Sequence, residues 1–204
     1  MTIFYFGLLL VPISAVLYVF VLRDKIDHSA QSKSLHEELA VIRQKAQKFF
    51  PTANFDELEF SRIVRNLPSD DLEVHKGNRT AIGNLVIRGD NRTAYGEDIR
   101  IWELKYNEQN YTVEFRCGIF IKNAGGDVLA TAKITWPSRH GKLDIASEVY
   151  DYHRFFWGEK AITKNGKLMM FSTSSGFSSK TLLLSRPEMN NEFHATSIAV
   201  SVGY

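Results

Sequence analysis

The stretch Tyr111-Thr112-Val113-Glu114-Phe115-Arg116-Cys117-Gly118-Ile119-Phe120-Ile121-Lys122 puts Tyr111, Val113, Phe115, Cys117, Ile119 and Ile121 on one side of an extended chain. Thr112, Glu114, Arg116 and Lys122 fall on the other. A period of two fits a strand with one face on a core and one in water. Cys117, on the apolar side, reads as a small buried hydrophobe rather than a thiolate nucleophile.

The same pattern extends in both directions. Asp98–Tyr106 precedes it across Asn107-Glu108-Gln109-Asn110, a hairpin-length connection, and its alternation slips at Ile101-Trp102 as at a bulge. Downstream, Asn123-Ala124-Gly125-Gly126-Asp127 turns into Val128, Ala130, Ala132, Ile134 and Trp136, again on one face. Lys164-Asn165-Gly166-Lys167 is a two-residue hairpin signal between Ala161–Lys164 and Lys167–Thr173. Ser174–Ser179 forms a polar turn before Lys180–Ser185, and a last strand is expected from Phe193 to about Val202. Short turns make neighbours antiparallel, so these strands form a meander.

Helical spacing precedes the strands. Ser34-Leu35-His36-Glu37 has the spacing of a capping box, and Leu35, Leu39, Ile42, Ala46 and Phe49 follow at helical intervals up to Pro51. A second helix is expected after Asn54, with Phe55, Leu58, Ile63, Val64 and Leu67 as its stripe and Pro68 as its stop.

Met1 to Leu22 carries no charged side chain. Twenty-odd residues at about 1.5 Å each match a hydrocarbon core of roughly 30 Å. The reading is an uncleaved transmembrane anchor, with Tyr5 and Tyr18 towards the headgroups and Ser14 able to satisfy the carbonyl freed by Pro12. A cleaved secretory signal is the rival; it lacks a positive n-region and a good small-residue cleavage site. Arg23 and Lys25 follow the anchor while its N-terminal flank has no Lys or Arg, which favours a cytoplasmic domain over a translocated one.

The expected architecture is therefore α+β. An N-terminal transmembrane helix (residues 1–22) and a juxtamembrane linker (23–33) lead to a soluble domain (34–204) of two helices packed on a curved antiparallel sheet of seven or eight strands, NTF2-like or barrel-like. In element order (anchor, leading helix, curved antiparallel sheet) the chain is similar to the membrane-anchored NTF2-like domains, including those of bacterial secretion systems. That resemblance implies a role in assembling a membrane complex.

A formal net charge of +2 argues against a dedicated nucleic-acid surface, which needs a basic stripe. One cysteine leaves no internal disulfide, so the fold rests on its core. Sequons stand at Asn78, Asn91 and Asn110, about as many as chance supplies. His140, Asp144, Asp151 and His153, with Glu148 nearby, are of types that bind a metal or move protons. Their spacing matches no metal signature, so the segment reads as a polar connection, and no metal or cofactor is expected. His36-Glu37-Glu38 lacks a second His at Ala40, and no nucleophile elbow or phosphate loop occurs.

In Tyr150-Asp151-Tyr152-His153-Arg154-Phe155-Phe156-Trp157, five of eight residues are aromatic. Core packing is the plain reading. Tyr150, Tyr152, Arg154, Phe155, Phe156 and Trp157 as a partner or ligand surface is the sharper one, because aromatics with Arg concentrate binding energy. The functional expectation is a membrane-tethered, non-enzymatic interaction domain with a protein partner or a second copy of itself. A small apolar-ligand or lipid binder is the alternative, and an enzyme the third.

Overall fold

The computed structural model describes residues 34–65, 71–77, 81–94, 97–116, 118–133, 139–156, 158–174 and 180–203. The expected anchor and linker, and Pro68, Cys117, Ile134, Trp136 and Trp157, lie outside them. No helix among the described residues is long and apolar enough to cross a membrane. The chain divides into residues 1–40 and 41–204. In the first unit the described residues are helical, and Ser34 Oγ donates to Glu38 Oε1 at 3.4 Å.

The helix of residues 34–49 (α1) bears out the leading helical stripe, with Ile42 and Ala46 fully buried in the second unit. The second expected helix does not form. A single 3-10 turn, Phe55–Glu57, gives way to strand β1, Glu59–Arg65. Ser61 and Ile63 alternate into the interior, and their spacing of two outweighs the looser helical match of Leu58, Ile63 and Leu67.

The sheet then runs as a continuous meander. Its strands are β2 (Leu72–Lys76), β3 (Ala81–Ala94), β4 (Glu97–Tyr106), β5 (Gln109–Phe115) and β6 (Ile119–Lys122). They continue with β7 (Val128–Lys133), β8 (His140–Ile145), β9 (Glu148–Arg154), β10 (Lys160–Lys164), β11 (Lys167–Ser174) and β12 (Lys180–Ser185). Every neighbouring pair is antiparallel, and β1 pairs with both β2 and β12, so the sheet closes into a barrel. Of the two expected shapes the chain takes the barrel, with twelve described strands in place of seven or eight. Closure leaves no unpaired edge among the described strands.

The stretch 111–122 is two strands, not one. β5 ends at Phe115 and returns as β6, with Phe115 opposite Ile119. The turn holds Arg116 N–H on the Gly118 carbonyl at 2.9 Å, and Phe115 and Ile119 stand an even number of positions apart, so both remain buried across the reversal. The irregularity sensed at Ile101-Trp102 sits across the ladder: β3 shifts register between Arg88 and Arg92, opposite Ile101 and Ile99.

The largest departure is at the C-terminus. Asn191–Gly203 is a helix (α2), not a strand. Phe193 and every residue from Ala195 to Ser201 are buried, so α2 is covered on all sides, as expected of a helix without a polar face in a core. It lies inside the barrel, packed among inward residues such as Leu104, Val113, Ile121, Leu143, Tyr152 and Leu183. Eight strands enclose only enough space for side chains; more strands leave room for a helix. Ala195, Ser197, Ala199 and Ser201 keep α2 slim enough for that room.

Both ends of α2 are fixed. Asn190 Oδ1 caps the first turn by accepting from Phe193 N–H at 2.9 Å. The tip of the β4–β5 hairpin holds the same end: Asn107 Nδ2 donates to Asn191 Oδ1, and Asn191 Nδ2 to Gln109 Oε1, each at 3.1 Å. At the far end Lys160 Nζ donates to the carbonyls of Val200 and Ser201, both at 2.9 Å. On the outside of the barrel, α1 is seated by Lys45 Nζ on Thr173 Oγ1 at 2.9 Å and by Phe49 against Phe171.

Candidate functional site

Strands β8 and β9 carry the residues in question. In an antiparallel pair, directly opposite residues share a face, and residues two apart stay on it. His140 stands opposite His153 and Lys142 opposite Asp151. The outer face therefore carries His140, Lys142 and Asp144 on one strand, and His153, Asp151 and Val149 on the other. The inner face carries Leu143, Ile145, Tyr150 and Tyr152. The segment expected to be a polar connection is thus a strand pair with a chemically distinct outer row.

The two imidazoles meet. His140 Nδ1 lies 3.0 Å from His153 Nδ1, and the rings are nearly perpendicular at 78°. His153 Nε2 is 3.1 Å from Thr163 Oγ1 on β10. Burial lowers the His153 pKa below its ordinary value of 6.5, and His140 pushes the same way, so the ring is neutral at pH 7. Asp151, next along the row, is paired with Lys142. Among the described residues no three His, Cys, Asp or Glu side chains converge as a metal cage. The row faces outward rather than into a cleft, and Asp144 lies further along it.

The aromatic run splits by strand parity. Tyr150 and Tyr152 are core residues inside the barrel, with Tyr150 5.4 Å from the Phe193 ring of α2 and its hydroxyl donating to Glu148 at 2.6 Å. Arg154 is opposite Lys160 on β10, and its backbone N–H bonds the Arg139 carbonyl at 2.6 Å. Phe155 leaves the sheet and stacks on Phe49 of α1 with centroids 4.0 Å apart, its ring near-parallel to His153 at 6.5 Å. Phe156 is 80% exposed, with the Arg139 guanidinium carbon 3.2 Å from its ring centroid. Gly158, at φ +86°, turns the chain back, with Phe155 N–H on the Glu159 carbonyl at 2.8 Å. A contiguous outward patch results: the His pair, Phe155, Phe49, Phe156 and Arg139.

A second polar grouping lies at the barrel mouth, where α2 begins. A cleft of about 130 Å³ is lined by Glu59, Ser61, Lys76, Tyr106, Ser185 and His194, among others. Glu59 and Lys76 form an ion pair, and the His194 ring lies 5.6 Å from that of Tyr106. Burial and the nearby Lys76 charge lower the His194 pKa, so it too is neutral at pH 7. Sequence reasoning missed this group because its members come from β1, β2, β4, β12 and α2, with no local spacing to reveal them.

No protein-family model matches the chain, and no curated protein or solved structure matches it either.

Proposed function

We propose that the chain is a membrane-tethered, non-enzymatic interaction domain, anchored through residues 1–22 with its globular part in the cytoplasm. Its contact surface is the outward patch of Phe155, Phe156, Arg139 and Phe49. The observation that carries this reading is the pairing of a filled interior with an exposed aromatic. The barrel already holds its own helix, with Phe193, Ala195, Ser197, Ala199 and Val200 all fully buried. A chamber for an apolar ligand or lipid is thereby taken up, and recognition falls to the outside.

Phe156 supports it further. A large ring that stays mostly in water, with a guanidinium laid over it, is the kind of residue that anchors protein interfaces when desolvated. Tethering at a bilayer raises the effective concentration of such a contact. A photo-crosslinking side chain at position 156, in membranes from cells making the full chain, tests the proposal. Discrete crosslinked species, to a second copy or to another protein, are expected, and Arg139→Glu should diminish them. An unmodified monomer at every dose, with the chain extracted from membranes by alkali, defeats it.

A further inference from the structure

The His140–His153 pair is built like half of a metal site. Two ligands at about 2.0–2.1 Å from a zinc-type ion stand about 2.9 Å apart at a right angle and about 3.3 Å apart at the tetrahedral angle. The two Nδ1 atoms are 3.0 Å apart, within that interval. Both rings are carried by paired strands at directly opposite positions, so the spacing is set by the sheet rather than by a loop.

The Thr163 contact is the second feature. Thr163 Oγ1 can accept from His153 Nε2–H, and in that tautomer the lone pair of His153 sits on Nδ1, the atom that faces His140. A hydrogen bond on the distal nitrogen is how metal-binding imidazoles are commonly oriented and held in one tautomer. In that tautomer the 3.0 Å contact between the rings is His140 Nδ1–H donating to His153 Nδ1. To admit an ion, that proton leaves Nδ1 and His140 takes one up at Nε2. Each ring remains neutral and each presents a lone pair, with no oxidant or reductant involved.

We propose that His140 and His153 bind a divalent transition metal of the imidazole-preferring class (Zn²⁺, Ni²⁺ or Cu²⁺) through their Nδ1 atoms on the outer face of the barrel. Two imidazoles select against Mg²⁺ and Ca²⁺, which require oxygen ligands. Water fills the remaining positions. Asp151 is one residue pair along the same face, and its carboxylate becomes a third donor once Lys142 turns away. The site borders the docking surface, but its ligands are not the rings assigned to partner contact, so the two are tested separately.

The test is titration of the metal-free full chain with ZnCl₂ by calorimetry and with CuSO₄ by electron paramagnetic resonance. One saturable ion per chain is expected, and the copper spectrum should carry hyperfine structure from two imidazole nitrogens. His140→Ala and His153→Ala should each abolish saturable binding at this stoichiometry. Thr163→Val, which keeps both ligands, should weaken it roughly 10–100-fold. His75→Ala and His194→Gln serve as controls and should leave the titration unchanged. Circular dichroism distinguishes lost metal from lost fold, because neither ligand is part of the core. Binding that survives the double variant His140→Ala/His153→Ala, a copper spectrum with a single nitrogen, or no saturable uptake of either ion overturns the proposal.

Discussion

Lys160 donates to the carbonyl oxygen of Ser201 at 2.9 Å, from the barrel wall to the last turn of the helix that the barrel encloses. The same ammonium reaches the Val200 carbonyl at 2.9 Å. Helix C-termini leave carbonyls without partners, and here no water-facing side is available to satisfy them. A buried lysine amine at the negative end of the helix dipole donates to both. Lys160→Met keeps the length of the side chain but leaves two buried acceptors unmet, at about 1–3 kcal/mol for each. The expected result is a lower urea midpoint with an unchanged m-value. A variant as stable as the parent would show that the cap contributes nothing.

The end of α2 is also limited by space. A Cβ built on Gly203 would lie 2.2 Å from Cε1 of Phe115, whose ring packs 4.3 Å from Trp102 inside the barrel. Gly203→Val therefore forces the ring or the helix to move, an overpacking cost of about 1–3 kcal/mol. Thermal unfolding should shift down by roughly 2–4 °C per kcal/mol for a chain of this size. An unshifted transition would mean that the last turn of α2 is not held against Phe115.

The β8–β9 hairpin turns on Ala146 (φ +50°) and Ser147 (φ +67°), both in the left-handed region without a glycine. That conformation costs roughly 1–2 kcal/mol per ordinary residue. Ala146→Asn with Ser147→Gly installs the residues such a turn favours, as Asn165 (φ +51°) and Gly166 (φ +77°) already do in the β10–β11 hairpin. The double variant should gain on the order of 1 kcal/mol in stability. Chemical denaturation checks this, and a loss of stability would contradict the turn geometry.

Stability should climb with pH from mildly acid to mildly alkaline. The folded pKa of His194 and of His153 lies below 6.5. As the pH falls through 6.5 the unfolded chain takes up protons that the folded chain does not, and stability declines. Burial brings Lys160 down to about 7 from 10.5, so between those values the unfolded chain again holds the extra proton. Its neutral amine still donates to the helix carbonyls. Above about pH 10 the sense reverses, because burial holds Tyr111 up at about 12 and the unfolded chain loses its phenolic proton first. In urea titrations from pH 5 to 9.5, His194→Gln should flatten the acid part of the curve and Lys160→Met the alkaline part. Parallel curves for all three proteins would refute the assignment.

Much of the wall was legible from residue spacing. The two-residue periods at Tyr111–Phe115, Ile119–Ile121 and Ala130–Ala132, the Asn165-Gly166 turn and the Leu39–Ala46 stripe all stand where the local pattern puts them. Local patterning succeeds there because one face of each element meets water and the other does not. The β8–β9 hairpin was hidden because Ala146-Ser147 carries no turn signal. Strand β1 was hidden because its few apolar residues also fit a helical spacing.

The sequence by itself determined an antiparallel meander with a leading helix, and it named the histidines and aromatics of the outer patch. Only the tertiary structure decided closure, the fate of residues 191–203 and the meeting of His140 with His153. Phe193-His194-Ala195-Thr196-Ser197-Ile198-Ala199-Val200 carries β-branched Thr196, Ile198 and Val200 and no Lys, Arg, Asp or Glu, so in isolation it reads as a strand. The twelve described strands join edge to edge in a closed ring, leaving no edge among them for another strand and an apolar space about one helix wide. A segment in that space must satisfy its own backbone hydrogen bonds, and a helix does so without a neighbour.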